Sequence, residues 1–287
     1  MNLDLLLYWM RERESIRRRR LARELPPWTR DPILQQWSFC NVRREHDRVT
    51  RWIAANWRYP HADDPDLWFA MVVARFMNEP DTLREIGFPV PWDPERFLRV
   101  MASRRARGAK LYRNDAYRIR ADNRLGRPTP EYRVADVFGP LWRNRREMRP
   151  RTGETLASYH RRLGRYHGMG DGFMSAQIVA DLKFVPPLRS AYDWMTFAVS
   201  GSGSRQGLNR VLGRPVDAPW TEAEWRREFD RLREAIMPEL QREGLGDLSA
   251  QDLQNCLCEA DKYERVLLDE GAALADLRGV TSLLWPR

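Results

Sequence analysis

The chain has 287 residues, of which 43% are hydrophobic, 31% charged and 11% aromatic, and it carries a formal net charge of +9. That hydrophobic share excludes a disordered chain, the length suits one large helical domain or two lobes, and no apolar run approaches the roughly 20 residues that span a bilayer. The positive balance favours a polyanionic partner, although its 46 Arg against three Lys is a bias that a GC-rich gene produces unaided.

Leu3, Leu6, Leu7 and Met10 open an amphipathic helix that runs into Arg17 to Arg20 and Arg23, until Pro26 and Pro27 stop it. Its apolar start is too short for a signal peptide and precedes its arginines, the reverse of the secretory order. The basic face is read either as a solvated surface or as a DNA-backbone contact. From Asn41 to Trp57 the spacing predicts a helix with Val42, Val49, Trp52 and Ile53 on one face and Arg43, Arg44, Asp47, Arg48 and Arg51 on the other. Glu45 and His46 fall inside the apolar stripe, where they must be paired or line a cleft.

Leu67 to Met77 reads as a buried core helix, prolines 80, 89, 91 and 94 mark breaks, and Glu95 to Arg105 forms another helix. Arg104 to Arg124 interleaves Tyr112, Tyr117 and Ile119 among arginines, which suits base stacking or a solvated loop. Arg143 to Arg151 is a further basic loop.

Leu156, Tyr159, Leu163 and Tyr166 recur at helical spacing, Gly168, Gly170 and Gly172 follow, and Phe173 to Leu182 is apolar almost all round. Helix, glycine turn, buried helix is the pattern of a helix-hairpin-helix, whose amides bind a nucleic-acid phosphate; the alternative is an ordinary helical hairpin. Asp193 stands roughly where helix-hairpin-helix DNA glycosylases carry a catalytic aspartate, but Phe173 and Met174 depart from their usual pattern.

The run GSGSRQG after Ser200 reads as a loop offering amides, Ser202, Ser204 and Arg205 to an anion, or as a plain turn. It lacks a Walker lysine. Trp225, Phe229, Leu232 and Ile236 define a helix closed by Pro238, and Ser249 caps a last helix with Leu253, Cys256, Leu257 and Ala260 inward. On its flank stand Asn255, Glu259 and Lys262, the last two either a surface ion pair or a functional pair. Cys40, Cys256 and Cys258 have no metal-site spacing, the four histidines have none, and the four-cysteine iron-sulfur loop of some glycosylases is missing. Reduced thiols, no metal and a cytoplasmic location are the expectation.

Five segments in fixed order carry a resemblance: PPWTRDPILQQWSFCNVRREHDRVTRW, NDAYRIR (Asn114 to Arg120), GMGDGFMSAQIVADL, GSGSRQGLNRVLG and CLCEADKYERV. Together they resemble the α-glutamyl/putrescinyl thymine pyrophosphorylase family, phage amino acid:DNA transferases. The resemblance implies an all-α, helix-hairpin-helix DNA glycosylase-like fold, as one domain or as lobes 1–150 and 151–287, with the N- and C-terminal signatures meeting in a cleft.

It implies an enzyme of the host cytoplasm that acts on double-stranded DNA carrying pyrophosphorylated hydroxymethyluracil, made by an upstream hydroxymethyluracil DNA kinase. The enzyme displaces pyrophosphate with the amine of a free amino acid or polyamine. No cofactor is implied, though a divalent metal could accompany the pyrophosphate. Catalytic candidates are Asp193 first, then Glu259 or Asp261, with Lys262; substrate candidates are Asn41, Arg44, Glu45, Asp47, Arg48, Ser202, Ser204, Arg205 and Asn209. Arg44, Arg48, Arg205 and Lys262 are the candidates for the leaving group. Gly168, Gly170, Gly172 and Lys183 are the DNA candidates. A DNA glycosylase and a non-catalytic DNA-binding module remain as rivals.

Overall fold

The computed structural model describes residues 1–112, 126–169 and 172–268. Asn114 to Arg120, Tyr117, Ile119 and Gly170 lie outside them. Among the described residues the regular elements are helical, so the fold is all-α. In chain order they are α1 (Asp4–Leu21), α2 (Pro32–Gln36), α3 (Arg48–Ile53), α4 (Leu67–Met77), α5 (Pro80–Ile86), α6 (Pro94–Ala106), α7 (Thr129–Tyr132), α8 (Gly139–Arg143), α9 (Arg145–Met148), α10 (Leu156–Leu163), α11 (Phe173–Leu182), α12 (Ser202–Leu212), α13 (Glu222–Arg242) and α14 (Ala250–Leu267). Among the described residues no helix is long and apolar enough to cross a membrane.

The chain divides into two compact units, one formed by Met1–Asp47 with Ala198–Arg287 and the other by Arg48–Phe197. Position 150, where a lobe boundary was expected, falls inside the second unit. The first unit is therefore assembled from both ends of the sequence. Its core gathers Trp9 and Met10 of α1, Trp225 and Phe229 of α13, and Leu253 and Leu257 of α14. Thr221 and Glu224 cap α13 reciprocally, as Ser249 and Asp252 cap α14, so both helices start where their side chains can satisfy the first free amides.

Two expectations are corrected here. The GSGSRQG run is the first turn and a half of α12, not a loop. Its glycines serve packing: a Cβ on Gly203 would run into Cys258, and one on Gly207 into the Leu257 carbonyl. Small residues at this spacing let α12 lie directly on α14. Pro238 does not end α13, which continues to Arg242. The proline is exposed, and the helix runs on past it.

The second unit is built around α4, every residue of which is buried. Phe69, Trp92, Phe97 and Phe138 pack around it in edge-to-face and tilted pairs. Arg75 of α4 and Asp181 of α11 form a buried bidentate pair with both N···O distances 2.5 Å. Arg75 also donates to Thr50, and the buried Arg58 approaches Asp181 within 3.9 Å and donates to its carbonyl. Charge in this core is matched by opposite charge, as burial requires.

Helices α10 and α11 lie where the sequence placed them, and Leu156, Tyr159 and Leu163 are fully buried. The helix expected over Asn41 to Trp57 is not: it starts only at Arg48, after an extended segment and a single turn at Arg44–His46. The basic stretch from Arg143 carries α9 rather than a loop throughout, and the break at Pro80 falls between the end of α4 and the start of α5.

Candidate functional site

The first unit brings the N- and C-terminal signature segments together on one face of α14. Glu259 Oε2 accepts from the Cys40 amide at 2.8 Å and from Lys262 Nζ at 2.7 Å. One residue along, Asp47 Oδ1 accepts from the Asn41 amide at 2.7 Å and from Asn41 Nδ2 at 3.0 Å. Two carboxylates are thus held by consecutive backbone amides. Arg13 of α1, itself buried, fixes the strip between them by donating to the Phe39 and Cys40 carbonyls and to Asn41 Oδ1.

The same bonds explain why no helix forms over Asn41 to Asp47. Asp47 offers the backbone amide of Asn41 a side-chain acceptor, and this local competitor displaces the helical bond. Glu45 and His46 consequently lie on a half-buried turn and not in an apolar stripe. Arg44 donates its amide to Asp252 at 3.1 Å, and its guanidinium lies 4.0 Å from Glu45.

Each carboxylate here uses one oxygen only. Among the described residues, Glu259 Oε1 and Asp47 Oδ2 receive no hydrogen bond. Burial, opposed by the Asn41 amide and reinforced by the neighbouring Glu259 charge, pushes the Asp47 carboxyl up to about 6. Burial works against the Lys262 ammonium, but Glu259 together with Cys40 and Cys258 outweighs it and holds the group above its ordinary value. A carboxyl raised to about 6 exchanges its proton near neutrality, the range in which general acid-base chemistry operates.

A cavity of about 650 Å³ opens next to this centre, between α1, the start of α2 and the end of α14. Its floor is Asp31, which accepts at Oδ2 from the hydroxyls of Tyr8 at 2.8 Å and Tyr263 at 2.6 Å. Asp31 Oδ1 caps α2 through the Ile33 and Leu34 amides. Glu12 accepts from Thr29 at 2.6 Å, and Arg30 stands at the rim. Burial first and Asp31 second raise the Tyr8 hydroxyl to about 12, so it stays a neutral donor. Phe39 separates the two parts: its ring lies 6.0 Å from that of Tyr263 and 4.8 Å below Lys262 Nζ.

The other predicted residues of this unit do structural work. Asp261 is buried against Arg210 at 2.8 Å and Arg265 at 3.2 Å, on a different face of α14. Asn209 Nδ2 ties down the Val216 and Ala218 carbonyls. Ser204 closes the first turn of α12 onto Gly201, and Arg205 is held by Ser200 and Glu222, while Ser202 is exposed.

The remaining candidates belong to the second unit. Both oxygens of Asp193 accept from amides at the start of α10, Leu156 at 2.8 Å and Ala157 at 2.9 Å. That position holds a helix terminus and leaves no oxygen idle. Lys183 is buried with its ammonium 4.1 Å from the Trp194 ring centroid. Gly168 and Gly172 take φ of 85° and 94°, the left-handed angles the turn requires. Arg48 is exposed at the start of α3.

Sequence reasoning passed over Arg13, Asp31, Tyr8 and Tyr263. Asp31 and Tyr263 lay inside the quoted signatures, where neither was singled out. Among the described residues no group of three or more His, Cys, Asp or Glu is arranged to hold a metal ion.

These features define an all-α protein whose terminal segments jointly frame a carboxylate-based polar centre beside a ligand-sized cavity. A family profile described as "5-hmdU DNA kinase, helical domain" matches residues 1–273, and the chain belongs to that family. The description ties the family to the modification of thymine in DNA, and it names a kinase rather than an amine transferase. No curated protein matches the chain, and no solved structure does.

Proposed function

We propose that this protein is a phage DNA-modifying transferase that replaces the pyrophosphate of a 5-pyrophosphorylmethyl-deoxyuridine in DNA with an amine. The observation that carries the reading is the pairing of Asp47 and Glu259, each with one idle oxygen, beside Lys262. Family membership supplies the substrate side: a helical domain associated with 5-hmdU kinases works where 5-hydroxymethyl-deoxyuridine and its phosphorylated forms occur.

In the reaction the amine nitrogen forms a bond to the methylene carbon as the carbon–oxygen bond to pyrophosphate breaks. The proton leaving nitrogen passes to Asp47, whose pKa of about 6 suits a base at neutral pH. Lys262, anchored by Glu259, compensates charge on the departing pyrophosphate. Asp47 replaces Asp193 in this role because both Asp193 oxygens are committed to α10. The α10–α11 hairpin is assigned to the DNA backbone, and the target base is flipped from the stack to be reached.

The family description favours a second reading, in which the chain is the helical, substrate-holding part of a 5-hmdU kinase. Nucleoside mass spectrometry separates the two. DNA bearing the pyrophosphorylated base is incubated with the protein and a mixture of amino acids and putrescine; DNA bearing 5-hydroxymethyl-deoxyuridine is incubated with ATP. An amine adduct with released pyrophosphate supports the transferase, a phosphorylated nucleoside the kinase, and abasic sites would point to a glycosylase.

A further inference from the structure

The segment 40–44 lies along α14 with one contact per helical turn. The Arg44 amide donates to Asp252 at 3.1 Å, the Cys256 thiol donates to the Val42 carbonyl at 3.5 Å, and the Cys40 amide donates to Glu259 at 2.8 Å. Asn255 stands beside this line, four residues before Glu259 and seven before Lys262, so the three share one stripe of the helix. Two atoms on the stripe are idle. Asn255 Nδ2 is covered from solvent yet meets no acceptor among the described residues, and Glu259 Oε1 receives no hydrogen bond there. Asn255 as a residue is half-buried, as are Cys40, Asn41, Asp47 and Lys262, so the stripe borders solvent and not the core. A covered amide donor left unmatched is a cost that an apolar side chain at this position would not carry.

An idle donor one turn from an idle acceptor calls for a ligand that presents an acceptor beside a donor. The imide edge of a uracil ring does so, since its O4 carbonyl adjoins the N3–H. Cytosine offers the reverse, an amino group beside the bare N3. On this stripe its amino group would face the Asn255 donor and its N3 lone pair would face the Glu259 carboxylate. We infer that Asn255 is the specificity-determining residue of this site and reads a 5-substituted uracil base, Nδ2 donating to O4 while Glu259 Oε1 accepts from N3–H. Lys262 holds the other Glu259 oxygen at 2.7 Å and so fixes the direction in which the idle one points. The inference rests on the reading that this face meets a modified thymine base, which the transferase and the kinase share.

The test separates base reading from the chemistry that follows it. Fluorescence anisotropy measures binding of the full chain to single-stranded oligonucleotides that carry one 5-hydroxymethyl-deoxyuridine or one 5-hydroxymethyl-deoxycytidine, so neither base pairing nor amine transfer enters. The wild type should bind the uracil strand at least about tenfold more tightly. Asn255→Asp keeps the side-chain shape but puts an acceptor where the donor was, and it should bring that ratio to about one; Asn255→Ala should lower it as well. Circular dichroism checks that both variants fold. A wild type that binds neither strand, or both alike, would overturn the inference. Equal weakening on the two strands in the variants, the mark of a merely structural role, would overturn it too. Amine transfer to pyrophosphorylated DNA by Asn255→Asp at the wild-type rate would remove Asn255 from the site and leave the transferase standing. A ratio that collapses as expected, with no adduct from any amine, would keep the base-reading role and favour the kinase over the transferase.

Discussion

Asp181 in the second unit and the Asp47–Glu259 pair in the first are all carboxylates packed among helices, yet they are treated in opposite ways. Asp181 is fully buried and each of its oxygens meets Arg75, with Arg58 behind. Asp47 and Glu259 are each held through a single oxygen by neutral amides and one lysine, and their second oxygens face no donor among the described residues. The first arrangement neutralises a charge so that three helical segments can close over it. The second leaves proton affinity and a lone pair available, at the expense of one carboxyl raised well above its ordinary value. A protein that needed only stability would have used the first arrangement twice.

The largest test of this contrast is to break the sealed pair. Arg75→Met leaves Asp181 buried without its main partner and should destabilise the second unit by about 3–5 kcal/mol in urea denaturation. A loss under about 1 kcal/mol would mean that the core does not depend on the pair.

In the open centre, Asp47→Asn keeps the acceptor for the Asn41 amide while abolishing the base. Amine transfer should fall about 10²- to 10⁴-fold, with a urea midpoint no lower than that of the wild type. In the wild type the rate should climb as pH rises through about 6, where Asp47 loses its proton, and this limb should vanish in the variant. Stability runs the other way. Because the folded carboxyl titrates near 6 and not at the ordinary 3.8, its stabilising effect is complete below about pH 4 and disappears as pH rises through 6. A midpoint that shows no difference between wild type and Asp47→Asn across that window would contradict the assignment.

Smaller effects sharpen the comparison. Asp193→Asn should cost about 0.5–2 kcal/mol through the start of α10 and leave the transfer rate within a few-fold of wild type. A collapse of activity in this variant with the fold intact would return the base to Asp193. Least of all, Arg84→Ala removes an exposed pair with Asp81 and should change stability by no more than about 0.5 kcal/mol.

Much of the fold was legible because helices bury stripes. The apolar run of α4, the spacing of α10 and the buried run of α11 appear where the sequence pattern placed them. What escaped was decided by contacts that spacing does not encode. Val42 and Val49 sit at helical spacing, yet Asp47 folds back on Asn41 and keeps the segment extended. GSGSRQG has loop composition, but the close approach of α14 selects those small residues for a helix. Of the site, Asn41, Asp47, Glu259 and Lys262 were legible through the resemblance of their segments. Asp193 looked equally eligible, since nothing local reveals that its oxygens meet amides 36 and 37 residues earlier. Asp31 and its tyrosines were hidden because the pairing spans 232 residues.

That long span has a consequence for how the chain is made. α1 meets Phe39 nearby in sequence, but the rest of its core comes from the helices at the far end of the chain, with the whole second unit, Arg48–Phe197, translated in between. At ~5–20 residues per second, those residues occupy the ribosome for roughly ten to thirty seconds. Throughout that interval Leu6, Trp9 and Met10 lack their C-terminal partners. The second unit can fold as it emerges, but the half-site on α1 and the following segment must wait, exposed, in the company of chaperones.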